Sequence, residues 1–305
     1  MSLEKYSGIL PAFYACYEDD GSVSVPRTKA LARHLVNSGV QGLYVNGSSG
    51  ECIYLEKEER MTILEAVMEE VKGECTIICH VACNNTHESR ELAAHAQSLG
   101  VDAIASIPPI YFRLPEYGIA KYWNDISAAA PDTDFVIYNI PQLAGVALTP
   151  SLFREMRKNP KVIGVKNSSM PTYDIEIWRR LGGEDCVIFN GPDEQFVSGR
   201  VTGANAGIGG TYAVMPELFL KMNELVGEGR VVEAEAIQHT VNGIIELMCT
   251  TKGNMYATAK KILEINHALK CGSVREPLYP LCDGDMETVE RAAKAIREAV
   301  ASLAR

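Results

Sequence analysis

Lys166 is the residue whose place in the sequence says most about chemistry, because it follows the apolar run at 162–165. A lysine that leaves a buried strand starts in a low-dielectric interior, where burial disfavours the ammonium and lowers its pKa. The neutral amine can attack a ketone, and the protonated imine then draws electrons from a carbon–carbon bond. The sequence therefore predicts Schiff-base chemistry at Lys166, with a lysine that snorkels to solvent as the alternative.

Two other polar groups also close apolar runs. Tyr138 ends the fifth run in the sequence YNIP, and a phenol beside a charged imine can exchange a proton with a substrate oxygen. GSSGE at 47–51 closes the second run, where glycine lets the backbone approach a ligand while hydroxyl and N–H groups bind an anion such as a carboxylate. Taken alone, Tyr138 fits a hydroxyl bound to backbone equally well, and GSSGE fits a polar turn.

Eight short apolar runs alternate with helical stretches at roughly 30-residue spacing, which is typical of repeated βα units and a parallel sheet. The runs begin at Gly8, Val40, Cys75, Val101, Thr133, Lys161, Cys186 and Gly203. No glycine-rich phosphate fingerprint follows the first run. The pattern therefore favours an α/β fold of the closed (β/α)8, or TIM barrel, type over a doubly wound open sheet.

Amphipathic stretches between the runs supply the helices. The clearest, at 57–73, places Met61, Leu64, Met68 and Val71 on one helical face and ends at a glycine. From about Pro216 onward the strand runs stop and only helical patterns remain. We therefore expect a catalytic barrel over residues 1–215 and a helical C-terminal region over 216–305 that completes the barrel and packs on it.

Composition excludes several classes of protein. The chain has 305 residues, 47% of them hydrophobic and 22% charged, and a net charge of −10. Such an acidic balance argues against nucleic acid or an anionic membrane and favours a small-molecule substrate. The sequence has neither a long apolar span nor the features of a signal peptide, and its nine cysteines are scattered in the manner of reduced core residues. These features predict a cytoplasmic protein.

Five motifs together resemble the N-acetylneuraminate lyase and dihydrodipicolinate synthase superfamily. In that order and spacing the chain has GSSGE at 47–51, YNIP at 138–141, GVKNSS at 164–169, NGPDE at 190–194 and GANAGIGGTY at 203–212. The resemblance runs from about Gly8 to Tyr212, and the helical tail fits as well. It implies a (β/α)8 barrel with a helical extension, assembled as a homotetramer, and an aldolase that needs no metal or organic cofactor.

The resemblance also implies roles for individual residues. The Schiff-base lysine of the superfamily falls on Lys166, the proton-transferring tyrosine on Tyr138, and the clamp for the pyruvate carboxylate on Ser48 and Ser49. A tyrosine that crosses a subunit boundary in relatives matches Tyr111. The remaining substrate-binding positions are Ser168, Gly191, Asp193, Glu194, Ile208 and Gly209. For the acidic pair among them, a helix N-terminus that favours acidic residues is the alternative.

The lyase branch fits better than the synthase branch. Leu143 stands where the synthases carry an arginine that holds the carboxylate of their aldehyde, and residues 138–146 follow the lyase pattern YNIPxLxGV. Gly210 and Ser168 depart from that branch, which usually has Ser and Thr at these two positions. We expect reversible cleavage of N-acetylneuraminate to N-acetylmannosamine and pyruvate. The alternatives are dihydrodipicolinate synthesis, another 2-keto-3-deoxy sugar acid aldolase, and a barrel that binds ligand without turnover.

A metal site is the remaining alternative near the barrel mouth. Cys79, His80 and Cys83 lie close together in the sequence. Successive side chains of a strand point to opposite faces, and the spacing fits no zinc motif well. We therefore predict no metal.

Overall fold

Eight parallel strands follow one another around a barrel in the order β1-β8-β7-β6-β5-β4-β3-β2. The computed structural model describes residues 3–303. The strands are β1 Gly8–Pro11, β2 Gly42–Val45, β3 Thr76–His80, β4 Ala103–Ser106, β5 Asp134–Asn139, β6 Val162–Asn167, β7 Val187–Asn190 and β8 Ala206–Gly209. Each strand is shorter than the apolar run that predicted it, because the ends of the runs become loops at the barrel rims.

The first and second strands close the barrel with only a few contacts. Ala12 and Tyr44 form an isolated parallel bridge, and Phe13 N–H donates to the Tyr44 carbonyl at 2.9 Å. At the other rim, Gln41 N–H donates to the Ile9 carbonyl at 3.0 Å. With β1 also paired to β8, the strands form a nearly closed barrel, and the predicted fold class is confirmed.

Helices cover the outside of the barrel. Those of the barrel repeats are α1 Val25–Asn37, α2 Lys57–Val71, α3 Thr86–Leu99, α4 Glu116–Ala129, α5 Pro141–Ala144, α6 Pro150–Met156, α7 Tyr173–Gly182 and α8 Phe196–Thr202. Those that follow β8 are α9 Pro216–Gly227, α10 Val231–Met248, α11 Met255–His267 and α12 Asp285–Ser302. The predicted face of α2 is confirmed, with Leu64, Met68 and Val71 buried and Met61 partly buried.

The core has two layers, as expected for strands that are buried on both faces. Inside the barrel, Leu10, Tyr44, Val136, Tyr138 and Phe189 belong to one buried cluster. Outside it, a larger cluster lies between the sheet and the helices. Functional side chains on the inner face therefore emerge from a dry interior.

Helix α10 contacts the barrel mouth through two side chains. On α10, the Gln238 side chain donates to the Asp193 carbonyl at 3.0 Å, and Asn242 donates to the Glu194 carbonyl at 3.0 Å. Helix α9 begins at Pro216, where the sequence predicts the helical region to start; the division into two regions stays a prediction. No helix within residues 3–303 has both the length and the apolar character needed to cross a bilayer.

Candidate active site

Lys166 and Tyr138 lie side by side at the carboxyl ends of β6 and β5, where they are register partners. The lysine amine is enclosed by two aromatic rings. Its Nζ lies 3.9 Å from the centroid of the Tyr138 ring and 4.0 Å from that of the Tyr44 ring. Only 4% of Lys166 is exposed. The structure therefore places a buried amine at the end of the barrel where enzymes of this fold carry their active sites.

Burial lowers the pKa of Lys166 to about 7, while the nearby Asp193 and Cys52 act in the opposite direction. An amine with such a pKa is substantially neutral at neutral pH, whereas an ordinary lysine is almost entirely charged. The neutral form is the nucleophile that a carbonyl substrate requires.

The Tyr138 hydroxyl lies next to the loop that follows β2. Its oxygen is 3.4 Å from Ser48 Oγ. Burial raises the pKa of Tyr138 to about 12, and hydrogen bonding with Ser48 and Ser168 opposes this rise. The phenol is therefore neutral at pH 7 and can both donate and accept a hydrogen bond.

The residues that follow Tyr138 and Lys166 hold the two strand ends together. The Asn139 side chain donates to Asn167 Oδ1 at 2.8 Å, and the Trp178 indole donates to the same oxygen at 2.9 Å. Asn139 Oδ1 accepts from Leu148 N–H at 3.0 Å. Because these amides are buried and hydrogen-bonded, they fix the strand ends in one arrangement.

Ser48 and Ser49 lie in a short 3₁₀ turn, Ser48–Gly50, directly after β2. Ser49 is buried and Ser48 half-buried. Before the turn, a Cβ on Gly47 would lie 2.5 Å from an edge atom of the Tyr44 ring. Only glycine fits there without moving the ring that covers the lysine amine. Steric exclusion therefore explains why the GSSGE motif begins with glycine.

Asp193 lies on the opposite side of the barrel mouth, where its carboxylate accepts hydrogen bonds from the loop that follows β8. Its Oδ2 accepts from the Thr211 N–H and the Thr211 hydroxyl, both at 2.6 Å, and its Oδ1 accepts from Gly210 N–H at 3.2 Å. Burial raises the pKa of Asp193 to about 6, and the Thr211 hydrogen bonds oppose the rise. The neighbouring Glu194 is exposed. Two adjacent acids thus occupy different environments.

Most of the residues predicted from the sequence gather at this mouth. Ser168 is half-buried beside Gly191, and a Cβ on Gly191 would overlap the Ser168 hydroxyl. Ile208 and Gly209 close β8 on the same rim. Tyr111 lies apart from them on the surface, 89% exposed, with a φ of 84° and its ring 5.0 Å from that of Phe112.

Tyr44 and Tyr256 were missed by the sequence analysis, and His80 was considered there only as a metal ligand. The Tyr44 ring covers the amine, and the rings of His80 and Tyr138 lie 5.9 Å apart. His80 Nδ1 lies 3.0 Å from the Asn46 carbonyl, and burial keeps the pKa of His80 well below its usual value. Tyr256 comes from α11. The alternation of side chains along a strand could have placed Tyr44 and His80 on the inner face of the barrel. No sequence signal places α11, which carries Tyr256, at the barrel mouth.

A cavity of about 340 Å³ opens beside these groups. Ser48 is part of its wall, which is otherwise mostly apolar and includes Cys52, His80, Ile107 and Tyr256. The Tyr138 hydroxyl touches this wall through Ser48. The volume is at the lower end of the range for small-molecule sites. This end of the barrel thus provides an amine nucleophile, a phenol and two hydroxyls, of which the Ser48 hydroxyl belongs to the residue in the cavity wall.

Comparisons with known proteins identify the family of the chain. The profile of the Dihydrodipicolinate synthetase family matches residues 5–296. An N-acetylneuraminate lyase of Mediterraneibacter gnavus is 61% identical over 298 residues, which are 98% of this chain and 95% of the relative.

Two solved structures are similar over nearly the whole chain. A catalytic lysine mutant of the sialic acid aldolase of Ruminococcus gnavus has a TM-score of 0.97 at 61% identity, with 98% of each chain covered. CdNal of Clostridium difficile, solved in complex with mannosamine, has a TM-score of 0.90 at 31% identity, with 98% of this chain and 100% of that chain covered. Because the family profile matches nearly the whole chain and a relative is 61% identical over 98% of it, this chain belongs to the dihydrodipicolinate synthetase family.

Proposed function

We propose that this protein is a class I aldolase that cleaves N-acetylneuraminate reversibly to N-acetylmannosamine and pyruvate. The observation that carries the proposal is the buried Lys166 amine, which lies between two aromatic rings with its pKa lowered to about 7. A buried amine of this kind is suited to forming an imine with a keto acid.

The relatives support both the enzyme class and the sugar substrate. The relative with 61% identity is an N-acetylneuraminate lyase, and the similar Ruminococcus gnavus structure is a mutant of a catalytic lysine. The Clostridium difficile relative holds mannosamine, an amino sugar. A lyase of this family that acts on a sialic acid is therefore the best account of the chain.

The first step is imine formation. Open-chain N-acetylneuraminate enters with its carboxylate on the hydroxyls of Ser48 and Ser49, and its C2 ketone meets Lys166 Nζ. The neutral amine adds to C2, the carbonyl oxygen takes one proton from the amine and a second from solvent and leaves as water, and a protonated imine remains. Since the iminium itself withdraws electrons, the reaction needs no metal or organic cofactor.

The second step breaks the bond between C3 and C4. The C4 hydroxyl loses its proton to Tyr138, C4 becomes the aldehyde carbon of the departing N-acetylmannosamine, and the electrons of the C3–C4 bond move toward the iminium nitrogen to form an enamine. Because burial raises the pKa of Tyr138 to about 12, the phenol is neutral at pH 7. As it accepts the C4 proton, it therefore donates its own proton to the substrate carboxylate. Protonation of the enamine at C3 and hydrolysis then release pyruvate and free Lys166.

The far end of the substrate lies toward β7 and β8. Ser168, Gly191, Asp193 and Glu194 bind the sugar hydroxyls, with Ile208 and Gly209 forming the adjoining wall. The Asp193 carboxylate already accepts three hydrogen bonds, but two oxygens offer about four acceptor sites. A site built around such groups rejects analogues that leave a buried polar atom unpaired.

The synthase alternative is weaker. Leu143, which stands where the synthases carry an arginine, is apolar, 65% exposed and part of the cavity wall. It cannot pair with the carboxylate of an amino acid aldehyde.

The test is an assay of the purified protein with N-acetylneuraminate, in which released pyruvate is followed through lactate dehydrogenase. We expect pyruvate release, and adduct formation when pyruvate is trapped with borohydride. Dihydrodipicolinate formation from pyruvate and aspartate semialdehyde, with no cleavage of sialic acid, would move the protein to the synthase branch. Calorimetric binding without an adduct would instead identify a barrel that binds ligand without turnover.

The pH dependence of imine formation follows from the lowered pKa of Lys166. The reactive amine is neutral above a pKa of about 7 and protonated below it. We therefore expect the trapping rate with pyruvate to rise as the pH increases through about 7 and to level off above about 8. Trapping rates measured between about pH 5.5 and 9.5 check this. A rate that keeps rising tenfold per pH unit to the alkaline limit would mean an ordinary lysine.

Gly191→Ala should impair the sugar-binding half of the site and leave imine formation with pyruvate unaffected. The new Cβ would overlap the Ser168 hydroxyl and lie 2.8 Å from the Asn167 carbonyl oxygen, so Ser168 must move. Overpacking of this kind costs about 1 to 3 kcal/mol. We expect kcat/KM for N-acetylneuraminate to fall roughly 10- to 100-fold, while trapping with pyruvate stays within about twofold. An equal loss in both assays would contradict the assignment of Ser168 to the sugar half.

We also propose that the chain forms a homotetramer in which Tyr111 crosses a subunit boundary. The exposed rings of Tyr111 and Phe112, and the positive φ of Tyr111, support an occupied surface there. Sedimentation equilibrium of the native chain and of Tyr111→Ala tests this assembly. The cytoplasmic location stays a prediction from composition.

A further inference from the structure

A buried carboxylate, that of Glu51, ends the loop that begins at Ser48. The Glu51 and Lys260 side chains are both fully buried, and Lys260 Nζ lies 2.6 Å from Glu51 Oε1. The other carboxylate oxygen accepts from Arg275 N–H at 2.6 Å and from the Tyr17 hydroxyl at 3.2 Å. Donors from three distant parts of the chain therefore converge on one side chain.

The backbone at Glu51 is held in an unfavourable conformation. Its φ of 57° and ψ of 26° are left-handed, which costs an L-residue roughly 1 to 2 kcal/mol. Its N–H donates to the Ser48 carbonyl at 3.0 Å and so closes the 3₁₀ turn. Strain of this kind persists only where the surroundings over-determine the geometry, and the side-chain contacts of Glu51 provide that constraint.

The partners of Glu51 are themselves fixed. Lys260 Nζ also donates to the Ser273 carbonyl at 2.7 Å and lies 4.5 Å from the centroid of the Tyr17 ring. The Arg275 guanidinium binds Glu59, with one N–O distance of 2.8 Å. A buried ion pair adds little net stability compared with an apolar pair of similar size. It requires a well-defined geometry, and removing one partner is strongly destabilising because the other charge is left buried and unpaired. Position, more than stability, is what such a network provides.

We propose that Glu51 is a positioning residue for substrate binding: through Lys260 and the 273–275 segment it sets where the Ser48 and Ser49 hydroxyls stand. The inference rests on the proposed function, in which those two hydroxyls bind the pyruvate carboxylate. The Glu51 side chain is fully buried and does not itself touch the substrate. The C-terminal region thereby becomes part of the carboxylate site, although it supplies no hydroxyl to it.

The test uses the full chain and the half-saturation of borohydride trapping by pyruvate. Glu51→Gln keeps the length of the side chain but turns an N–H₂ group toward Lys260, or toward Arg275 N–H and Tyr17. We expect the pyruvate concentration that gives half-saturation to rise about tenfold or more. The adduct yield at saturating pyruvate should stay within about twofold of the native value. Tyr17→Phe removes one hydrogen bond and should raise half-saturation about threefold with little change in melting temperature.

Matched controls come from the opposite rim of the barrel. The Tyr6 hydroxyl donates to Asp134 at 2.7 Å, and Asp102 pairs with Lys5 while accepting from Ile77 N–H. Tyr6→Phe and Asp102→Asn should leave half-saturation within about twofold, whatever they do to stability.

Each outcome decides between the two proposals. Unchanged half-saturation in Glu51→Gln, or a lower yield with unchanged half-saturation, overturns the positioning role. If that variant does not fold, Tyr17→Phe decides, and a value equal to that of Tyr6→Phe overturns the role. An absence of adduct in the native chain counts against the proposed aldolase instead.

Discussion

Lys166→Met is expected to abolish cleavage of N-acetylneuraminate, lowering kcat by about 10⁴-fold or more. The substitution removes the amine that forms the imine but keeps an unbranched side chain between the Tyr44 and Tyr138 rings. Intact-protein mass spectrometry after borohydride treatment with pyruvate should show the adduct in the native chain and none in the variant.

The same variant should not be less stable than the native chain. Because the folded pKa of Lys166 is about 7 and the unfolded value about 10.5, the unfolded chain binds more protons between these values. The lysine therefore lowers stability below about pH 10.5, most of all below pH 7. A melting temperature that holds or rises at pH 7 would show that chemistry was lost and not the fold. Lys161→Ala, at the start of the same run, is the control and should keep full activity.

Tyr138→Phe is the second large effect. We expect kcat to fall by about 10²- to 10⁴-fold, because proton transfer at C4 is lost while the ring that covers the amine remains. The pyruvate adduct should still form in trapping experiments. A variant that loses trapping as completely as Lys166→Met would show that the hydroxyl acts in imine formation instead of in bond cleavage.

Tyr44→Phe is the matched control for this experiment. The Tyr44 ring also contacts the amine, but among residues 3–303 its buried hydroxyl has no hydrogen-bond partner. Removing that hydroxyl keeps the ring and should change kcat by less than about threefold. Comparable losses in the two variants would mean that the aromatic enclosure, and not the Tyr138 phenol, carries the effect.

The fold was predictable because each of its signals is local. Short apolar runs at regular spacing define the strands, and α2 ends at Val71, two residues before the glycine at which the 57–73 stretch stops. The positions of Lys166 and Tyr138 at the barrel mouth were predictable for the same reason, since each closes an apolar run. Parallel strands in register then bring them together without further information.

The supporting groups were not predictable from local patterns. Asp193 and Glu194 are adjacent and look equivalent in the sequence, yet one is buried by contacts from β8 and the other is exposed. Lys260 is one of two consecutive lysines on a helical pattern, and only the packing of α11 distinguishes it by burying it against Glu51. Contacts across about 200 residues leave no periodicity in a single sequence.

Because every strand of the barrel ends in its own loop, the proposed function puts the two halves of the substrate against largely separate pieces of chain. In the proposed reaction, the keto acid end lies at the ends of β2, β5 and β6, and the aldehyde end lies mainly at those of β7 and β8, with Ser168 after β6 between the two. The loops of the second group can therefore be exchanged during evolution, or by design, while the amine and its aromatic enclosure stay intact. This independence gives a physical reason why one family can include both synthases and lyases, and it marks the 190–194 and 208–211 segments as the place to redesign which aldehyde is accepted.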